Sequence, residues 1–161
     1  MDFATLFQTF STAFRLERLP EYRIPSETSA IKQFMETGEM PADANAEWVE
    51  ILQVTRTRQA RIERLRLVSE PLTQYERFEV EAAYMPGLQL GEDIRIITRA
   101  GLPDSEDFWT FNDEWYAAMV YSSTGEFLRA EIQPVDTELA AKIQYWRDLF
   151  QNTAQKLTFR E

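Results

Sequence analysis

The 161-residue sequence contains neither cysteine nor histidine. Without cysteine, the chain has no disulfide, thiolate nucleophile, iron–sulfur cluster or zinc ribbon. Without histidine, it lacks the side chain that most often serves as general base, proton shuttle or transition-metal ligand. Ser–His–Asp hydrolases, cupin-type metal enzymes and HExxH proteases are therefore excluded. The groups left for catalysis restrict an enzyme to carboxylate or Mg²⁺ chemistry, and no cofactor is expected.

Long apolar runs and a leader sequence are also missing. No apolar run approaches the roughly 18 residues of a membrane span, and the N-terminus carries Asp2 where a signal peptide needs a basic residue. We therefore expect a cytoplasmic protein without a membrane anchor. The length is typical of one domain, covering residues 1–161.

Basic residues are the minority, since 17 Lys and Arg stand against 27 Asp and Glu, giving a formal net charge of −10. Such a surface repels phosphate backbones and anionic lipids, so direct nucleic-acid or membrane binding is not expected. Arginine nevertheless outnumbers lysine by 14 to 3. Five arginines fall within eleven residues and predict either intramolecular pairing with carboxylates or a local site for an anion or a partner: Arg56, Arg58, Arg61, Arg64 and Arg66.

The apolar spacing predicts helices at both ends of the chain and strands between them. A helix is expected over residues 3–16, a second from Ser26 to Gly38, and a long one after Asp136. Residues 46–58 fit either a helix or a strand, with a slight preference for a strand. Strands are expected at 60–68, 75–82, from 92, and at 108–111, 115–121 and 127–132. The fold class is α+β, a twisted and mainly antiparallel sheet with the N-terminal helices and the C-terminal helix packed on one face.

One group of acids has the composition of a divalent-cation site. Glu92, Asp93, Asp107 and Asp113 follow or flank predicted strands, and converging carboxylates can hold Mg²⁺ or Mn²⁺ for phosphoester cleavage. Their spacing matches no metal motif, and turn caps and salt bridges explain the same residues.

Arginines and acids recur two positions apart, as in Arg15 and Glu17, and on a strand this period puts both members of a pair on one face. Arg66, Arg77 and Arg95 are therefore predicted on neighbouring strands, paired with Glu79, Glu92 or Asp93. Their face lies opposite a core of Leu65, Leu67, Phe78, Val80, Ile94 and Ile96, and it is either exposed or a binding surface. If these arginines line a pocket with Trp109 or Tyr75 at its wall, a small anionic ligand becomes the favoured partner. Trp48 and Trp115 border loops and are candidates for an interface, whereas Trp109 and Trp146 are predicted core residues.

Several short motifs occur in a fixed order along the chain: Phe14-Arg15-Leu16-Glu17, Arg64-Leu65-Arg66-Leu67-Val68, Gly91-Glu92-Asp93-Ile94-Arg95 and Asp107-Phe108-Trp109-Thr110-Phe111. In this pattern the chain resembles an uncharacterised family common in actinobacteria, whose members carry Phe-Arg-Leu-Glu, Arg-Val-Arg-Val-Val, Gly-Glu-Asp-Ile-Arg and Asp-Phe-Trp-Leu-Phe-Asp. This chain departs from the pattern at Leu65, Leu67, Thr110 and Asn112. The resemblance implies no established activity. It implies a regulatory or toxin–antitoxin-like role only through the helix-turn-helix regulators often encoded near relatives.

Three function hypotheses follow. The first is a non-catalytic cytosolic binding or regulatory module that acts through a protein partner, for which Arg15, Glu17, Arg66, Tyr75, Arg77, Glu79, Glu92, Asp93, Arg95 and Trp109 are the candidate binding residues. The second is a Mg²⁺-dependent phosphoesterase or nuclease that uses the four acids described above. The third is an acidic immunity or antitoxin-like inhibitor, steered by its charge towards a basic partner. The sequence leaves the oligomeric state open.

Overall fold

The computed structural model describes residues 1–160, which are built around one seven-stranded sheet. The strands are β1 (Thr12–Glu17), β2 (Arg61–Val68), β3 (Asp93–Thr98), β4 (Asp107–Phe111), β5 (Trp115–Tyr121), β6 (Phe127–Pro134) and β7 (Gln155–Lys156). The helices are α1 (Phe3–Thr9), α2 (Thr28–Thr37), α3 (Ala46–Thr57), α4 (Gln74–Phe78), α5 (Met85–Gln89) and α6 (Thr137–Asn152). A π-helical turn, Glu79–Ala83, follows α4.

The strand order β6-β5-β4-β1-β2-β3-β7 combines antiparallel and parallel pairs. β1, β2 and β3 run parallel to one another, and every other pair is antiparallel. Parallel neighbours need long crossovers, which α2 and α3 provide between β1 and β2, and α4 and α5 between β2 and β3. The predicted α+β class with a mainly antiparallel sheet is confirmed, whereas the parallel centre was not predicted.

Helices cover both faces of the sheet, so the prediction that they all pack on one face is wrong. On one face, Ala13, Ile62 and Phe111 pack with Leu6 of α1 and Leu52 of α3. On the opposite face, the core of Phe14, Leu16, Leu65, Leu67, Phe108 and Tyr116 packs against Ile143, Trp146 and Phe150 of α6. We call these the N-helix face and the α6 face. The sheet has two buried sides because α1 and α3 pack on one of them and α6 packs on the other.

The predicted helix over 3–16 is two elements. Asp2 caps α1 by accepting a hydrogen bond from the Thr5 amide at 2.7 Å, and α1 ends at Thr9. Residues 12–17 then form the central strand, of which all but Thr12 are buried. Because both faces of β1 are covered, its apolar residues are not restricted to alternate positions. Their positions happen to continue the helical spacing of α1, and a single helix was therefore predicted.

Two predicted strand segments are helical. Residues 46–57 form α3, whose inner side carries Leu52 and Thr55. Residues 74–83 form α4 and the π-helical turn, and they start at a capping box in which Thr73 and Glu76 bond each other's backbone amides. The β-branched and aromatic residues that favoured a strand are held in helices by packing, which overrides such preferences.

Helix α2, strands β3 to β6 and helix α6 agree with the sequence prediction, whereas α5 and β7 were not predicted. α2 ends at Gly38, whose φ of 78° is typical of a helix C-terminus. β5 and β6 form the predicted hairpin, and Asp136 caps α6 through the Leu139 amide at 2.8 Å. Trp109 and Trp146 are buried core residues, as predicted, and Trp48 and Trp115 pack half-buried against the N-helix core. Across residues 1–160, no helix has the length and apolar character needed to cross a bilayer.

Candidate functional site: a buried charge cluster beside a cavity

A cluster of charged side chains is buried on the N-helix face, across the parallel strands β1 and β2. The parallel register places Arg15 beside Arg64 and Glu17 beside Arg66. Because residues two apart on a strand share a face, all four side chains point away from α6. Asp107, Glu79 and Glu92 join them from β4, the π-helical turn and the residue before β3. All seven residues are buried. We call this set the charge cluster.

Arg64 and Arg66 hold three of the carboxylates by close contacts. Arg64 Nη1 donates to Glu17 Oε1 and Arg64 Nε to Glu92 Oε2, each at 2.7 Å. Arg66 Nε donates to Glu79 Oε1 at 2.8 Å, and Nη2 lies 2.7 Å from the same oxygen. Charge-assisted bonds of this length are about twice as strong as neutral ones. The two arginines therefore fix the carboxylates of three different elements against β2.

Arg15 and Asp107 form a second centre at the edge of the cluster. Arg15 Nη2 donates to Asp107 Oδ2 at 3.3 Å and to the Tyr121 hydroxyl at 2.9 Å, and no residue within 1–160 accepts from Arg15 Nη1. Tyr22 donates a short hydrogen bond to Asp107, whose other oxygen accepts from the Arg18 amide at 3.1 Å. Burial raises the pKa of Asp107, against the opposing effect of Arg15.

The two central carboxylates have opposite pKa shifts. Burial alone would raise the pKa of Glu17, but the guanidinium groups of Arg64, Arg15 and Arg66 outweigh it and lower the pKa to about 2. Burial raises the pKa of Glu79 to about 7, and the negative charge of Glu17 adds to this effect although Arg66 opposes it. Environments that separate the pKa values of neighbouring carboxylates are common at functional sites.

Tyr84 connects these two carboxylates. Its hydroxyl lies 3.0 Å from Glu17 Oε1 and 3.1 Å from Glu79 Oε2. A phenol has one proton and can donate to only one carboxylate, so a proton on Glu79 completes the chain from Glu79 through Tyr84 to Glu17. With that proton, the three arginines of the charge cluster face three ionised carboxylates, and the buried charge is balanced.

A cavity of about 200 Å³ adjoins the charge cluster. Its aromatic lining consists of Tyr22, Trp48, Tyr75, Tyr84 and Tyr121, and its charged lining of Glu17, Glu27, Glu79, Glu92 and Arg64. Ile24, Glu27, Asn45 and Trp48 also line an outer cleft of about 500 Å³. Tyr22, Ile24 and Tyr75 also line a groove of about 980 Å³. The shared residues show that the cavity adjoins both the outer cleft and the groove.

Glu27 stands at this margin with a neutral partner only. Its Oε1 accepts from the Tyr75 hydroxyl at 2.7 Å, and within residues 1–160 no Lys or Arg lies within ion-pair distance of it. Burial raises the pKa of Glu27 despite that hydrogen bond. It differs from the cluster carboxylates in this respect, since each of those contacts an arginine.

The sequence-predicted binding residues divide between the two faces. Seven lie in or beside the charge cluster: Arg15, Glu17, Arg66, Tyr75, Glu79, Glu92 and Trp109. Asp93 and Arg95 pair with each other at 3.0 Å, with Arg95 opposite Leu65 of the α6 face. Arg77 lies on α4 and pairs with exposed Glu81. A common face for Arg66, Arg77 and Arg95 is therefore wrong, because Arg66 and Arg95 occupy opposite phases of neighbouring strands and 75–82 is helical.

The prediction that Leu65, Leu67, Ile94 and Ile96 share one core face is also wrong. Ile94 and Ile96 share a face with Arg66, whereas Leu65 and Leu67 are on the α6 face. The charged face was predicted to be exposed or a binding surface, but helices cover it. The pairing of Arg66 with Glu79 and of Arg95 with Asp93 agrees with the prediction.

The four acids proposed as metal ligands are dispersed. Glu92 contacts Arg64, Asp93 contacts Arg95, Asp107 contacts Arg15, and exposed Asp113 pairs with Arg147. In the described part of the chain, no three acidic side chains are arranged to hold a metal ion. Glu92 and Asp93 are adjacent at the start of β3 but contact different arginines, whereas Asp107 begins β4 and Asp113 lies between β4 and β5.

Sequence reasoning did not single out Tyr22, Glu27, Trp48, Tyr84 and Tyr121 as lining one cavity. Arg64 could have been found, since the alternation along β2 places it on the same face as Arg66. The other residues come from loops and helices whose position depends on the crossovers, so no local spacing indicates their proximity. Trp48 reaches Glu92, 44 positions along the chain, with an indole N–H bond of 3.1 Å.

The fold and the site define a single α+β sheet domain with a buried arginine–carboxylate cluster beside an aromatic cavity. The sequence pattern of one protein family, described as Domain of unknown function (DUF6879), matches residues 1–158. The chain belongs to this family. No curated protein matches the sequence.

Proposed function

We propose that the protein is a non-catalytic cytosolic module that binds a small ligand in the cavity between the sheet and the helices of the N-helix face. The observation that carries this proposal is the cavity of about 200 Å³, with five aromatic rings and the charge cluster in its wall. Ligand sites are concave, apolar for the most part, and contain a few convergent polar groups.

The pairing of the charge cluster supports binding over catalysis. Arg64 and Arg66 each engage carboxylates at 2.7 Å, so these groups hold one another in place. A nucleophile or general base would need a reactive atom directed at a substrate. The cluster serves instead as a rigid floor that fixes the rings and carboxylates of the cavity wall.

A regulatory role follows from where the cavity lies. The wall between the cavity and the outer groove is formed by Tyr22, Ile24 and Tyr75. A ligand in the cavity would therefore restrict the motion of side chains that a protein partner can contact from the groove. This agrees with the regulatory association that the family resemblance implies. A ligand that binds one state more tightly shifts the population towards it.

A cavity-filling variant tests the proposal. Ala83 lines the cavity and is 9% exposed, so Ala83→Leu occupies the space that a ligand needs. A panel of polar metabolites of fewer than ten non-hydrogen atoms is screened by thermal shift against the wild type, Ala83→Leu and the exposed-site control Arg77→Met.

We expect at least one compound to raise the melting temperature of the wild type and the control but not of folded Ala83→Leu. Shifts that persist in Ala83→Leu, or a panel with no shift at all, would contradict the proposal.

A further inference from the structure

We propose that the cavity takes a small organic ammonium ion, held against its aromatic walls with its charge next to Glu27. This inference rests on the proposed function, because it names the class of ligand for the same cavity. This ligand class differs from the small anion that the sequence analysis favoured for a pocket lined by arginines.

The charge of the lining favours a cation. Four carboxylates, Glu17, Glu27, Glu79 and Glu92, face the cavity together with one guanidinium, Arg64. Arg64 is already shared between Glu17 and Glu92 through Nη1 and Nε, so its positive charge is offset and an anion would have to compete with two carboxylates for it. With the charge cluster balanced by the proton on Glu79, Glu27 still adds a carboxylate that no described arginine contacts, and an anion would enter next to this negative charge.

Glu27 is the carboxylate left for a ligand. Its hydrogen bond from Tyr75 satisfies part of one oxygen, while an ionised carboxylate accepts at about four positions. It is also half-buried at the margin between the cavity and the outer cleft. A cation arriving through that cleft meets Glu27 first and can stay in contact with it inside.

The aromatic rings provide the second part of such a site. A cation near a Trp or Tyr ring is attracted by the negative face of the ring. The chain already uses this attraction around the cavity, with Arg64 5.4 Å from the Trp48 ring centre and Arg66 5.1 Å from that of Tyr22. No described cation lies over Tyr75 or Tyr121, and both rings line the cavity.

The volume limits the size of the ligand. One water molecule occupies about 30 Å³ of liquid, so a cavity of about 200 Å³ accommodates roughly six or seven non-hydrogen atoms. Neither choline nor the smaller n-butylammonium exceeds this size. Longer polyamines and nucleosides exceed it.

The test compares each cation with a neutral molecule of the same shape. Binding of choline is measured against 3,3-dimethyl-1-butanol, and binding of n-butylammonium against 1-butanol, by calorimetry or by chemical-shift titration. Acetate and inorganic phosphate form the anion arm. The variant Glu27→Gln keeps the Tyr75 contact but removes the charge, and Glu81→Gln is the matched control because Glu81 is an exposed acid outside the cavity.

We expect at least one cation to bind at least tenfold more tightly than its neutral counterpart, and Glu27→Gln to weaken it about tenfold or more, while Glu81→Gln leaves it unchanged. Equal binding of cation and neutral molecule, tighter binding of an anion, or no effect of Glu27→Gln would overturn the inference. The comparison of cation and neutral molecule needs no variant and remains decisive if Glu27→Gln folds poorly.

The two proposals fail in different ways. If compounds other than cations bind and Ala83→Leu abolishes their binding, the cavity is a ligand site but the ammonium assignment is wrong. If neither these probes nor the metabolite panel binds in a way that Ala83→Leu removes, both proposals are wrong.

Discussion

Removal of the Arg66 guanidinium is the perturbation that most directly tests the charge cluster. Arg66 is fully buried, contacts Glu79 at 2.7 Å and lies 5.1 Å from the Tyr22 ring centre. Removing one member of a buried ion pair costs about 3–5 kcal/mol, because the other charge stays buried without its partner. Glu79 has a pKa raised to about 7 and takes up a proton readily. We therefore expect Arg66→Met to cost about 3 kcal/mol at pH 7, at the lower end of that range.

The sign of the pH dependence follows from Glu79. Its folded pKa of about 7 lies above the ordinary 4.5, so the folded state binds more protons than the unfolded state between these values, and stability falls as the pH rises through them. Without Arg66, the folded pKa of Glu79 rises further. The cost of Arg66→Met should therefore be larger at pH 8.5 than at pH 6.

Urea denaturation followed by tryptophan fluorescence measures these differences, with Arg77→Met as the matched control. Arg77 pairs with Glu81 at 3.3 Å on the surface, and exposed pairs contribute about 0–1 kcal/mol. The double variant Arg66→Met, Glu79→Leu should recover most of the loss, since an apolar pair can replace a buried ion pair. If Arg66→Met costs no more than Arg77→Met, or if the double variant is no more stable than the single one, the cluster is not the buried, coupled unit described above.

The predictable part of the fold was set by local signals. The β5–β6 hairpin, α2 with Gly38 at its end, and α6 with Asp136 at its start each rest on contacts between residues close in sequence. Strand β2 was also predictable, since charged and apolar residues alternate from Arg64 to Leu67. These elements would be identified in any protein that contained them.

The predictions that were wrong depend on which side of the sheet is covered by helices. Alternation places Leu65 and Arg66 on opposite faces but does not tell which face is buried, and here both are. The usual assumption that charged residues face water then assigned Arg66 to the exterior. The compensating carboxylate, Glu79, comes from a segment that was predicted as a strand and is helical, so the pair was predicted correctly with the wrong geometry.

From the sequence, only the residues of the candidate site that lie on strands could be predicted. Arg15, Glu17 and Arg66 were selected because charges two positions apart share one face of a strand. The cavity wall depends on crossovers instead: Glu27 precedes α2, while Tyr84 follows the π-helical turn. Their proximity is a property of the parallel centre of the sheet, which short-range spacing does not encode.

Two further predictions concern the carboxylates around Arg64. A Cβ added at Gly87 would lie 2.6 Å from Glu92 Oε1, so we expect Gly87→Ala to destabilise the fold by about 1–3 kcal/mol in urea denaturation. The same change inside a helix usually increases stability. A gain in stability here would show that Glu92 is free to move. For Glu17, the folded pKa of about 2 lies below the ordinary 4.5, so its contribution to stability is present above pH 4.5 and is lost as the pH falls towards 2. A difference of one in pKa corresponds to about 1.4 kcal/mol, so this contribution is about 3 kcal/mol. We expect Glu17→Gln to lower stability at pH 7 and to flatten its fall between pH 4.5 and 2, while Glu81→Gln leaves both unchanged. An equally steep fall in Glu17→Gln and wild type would mean that other carboxylates carry the acid sensitivity, because a group that no longer titrates cannot contribute to that slope.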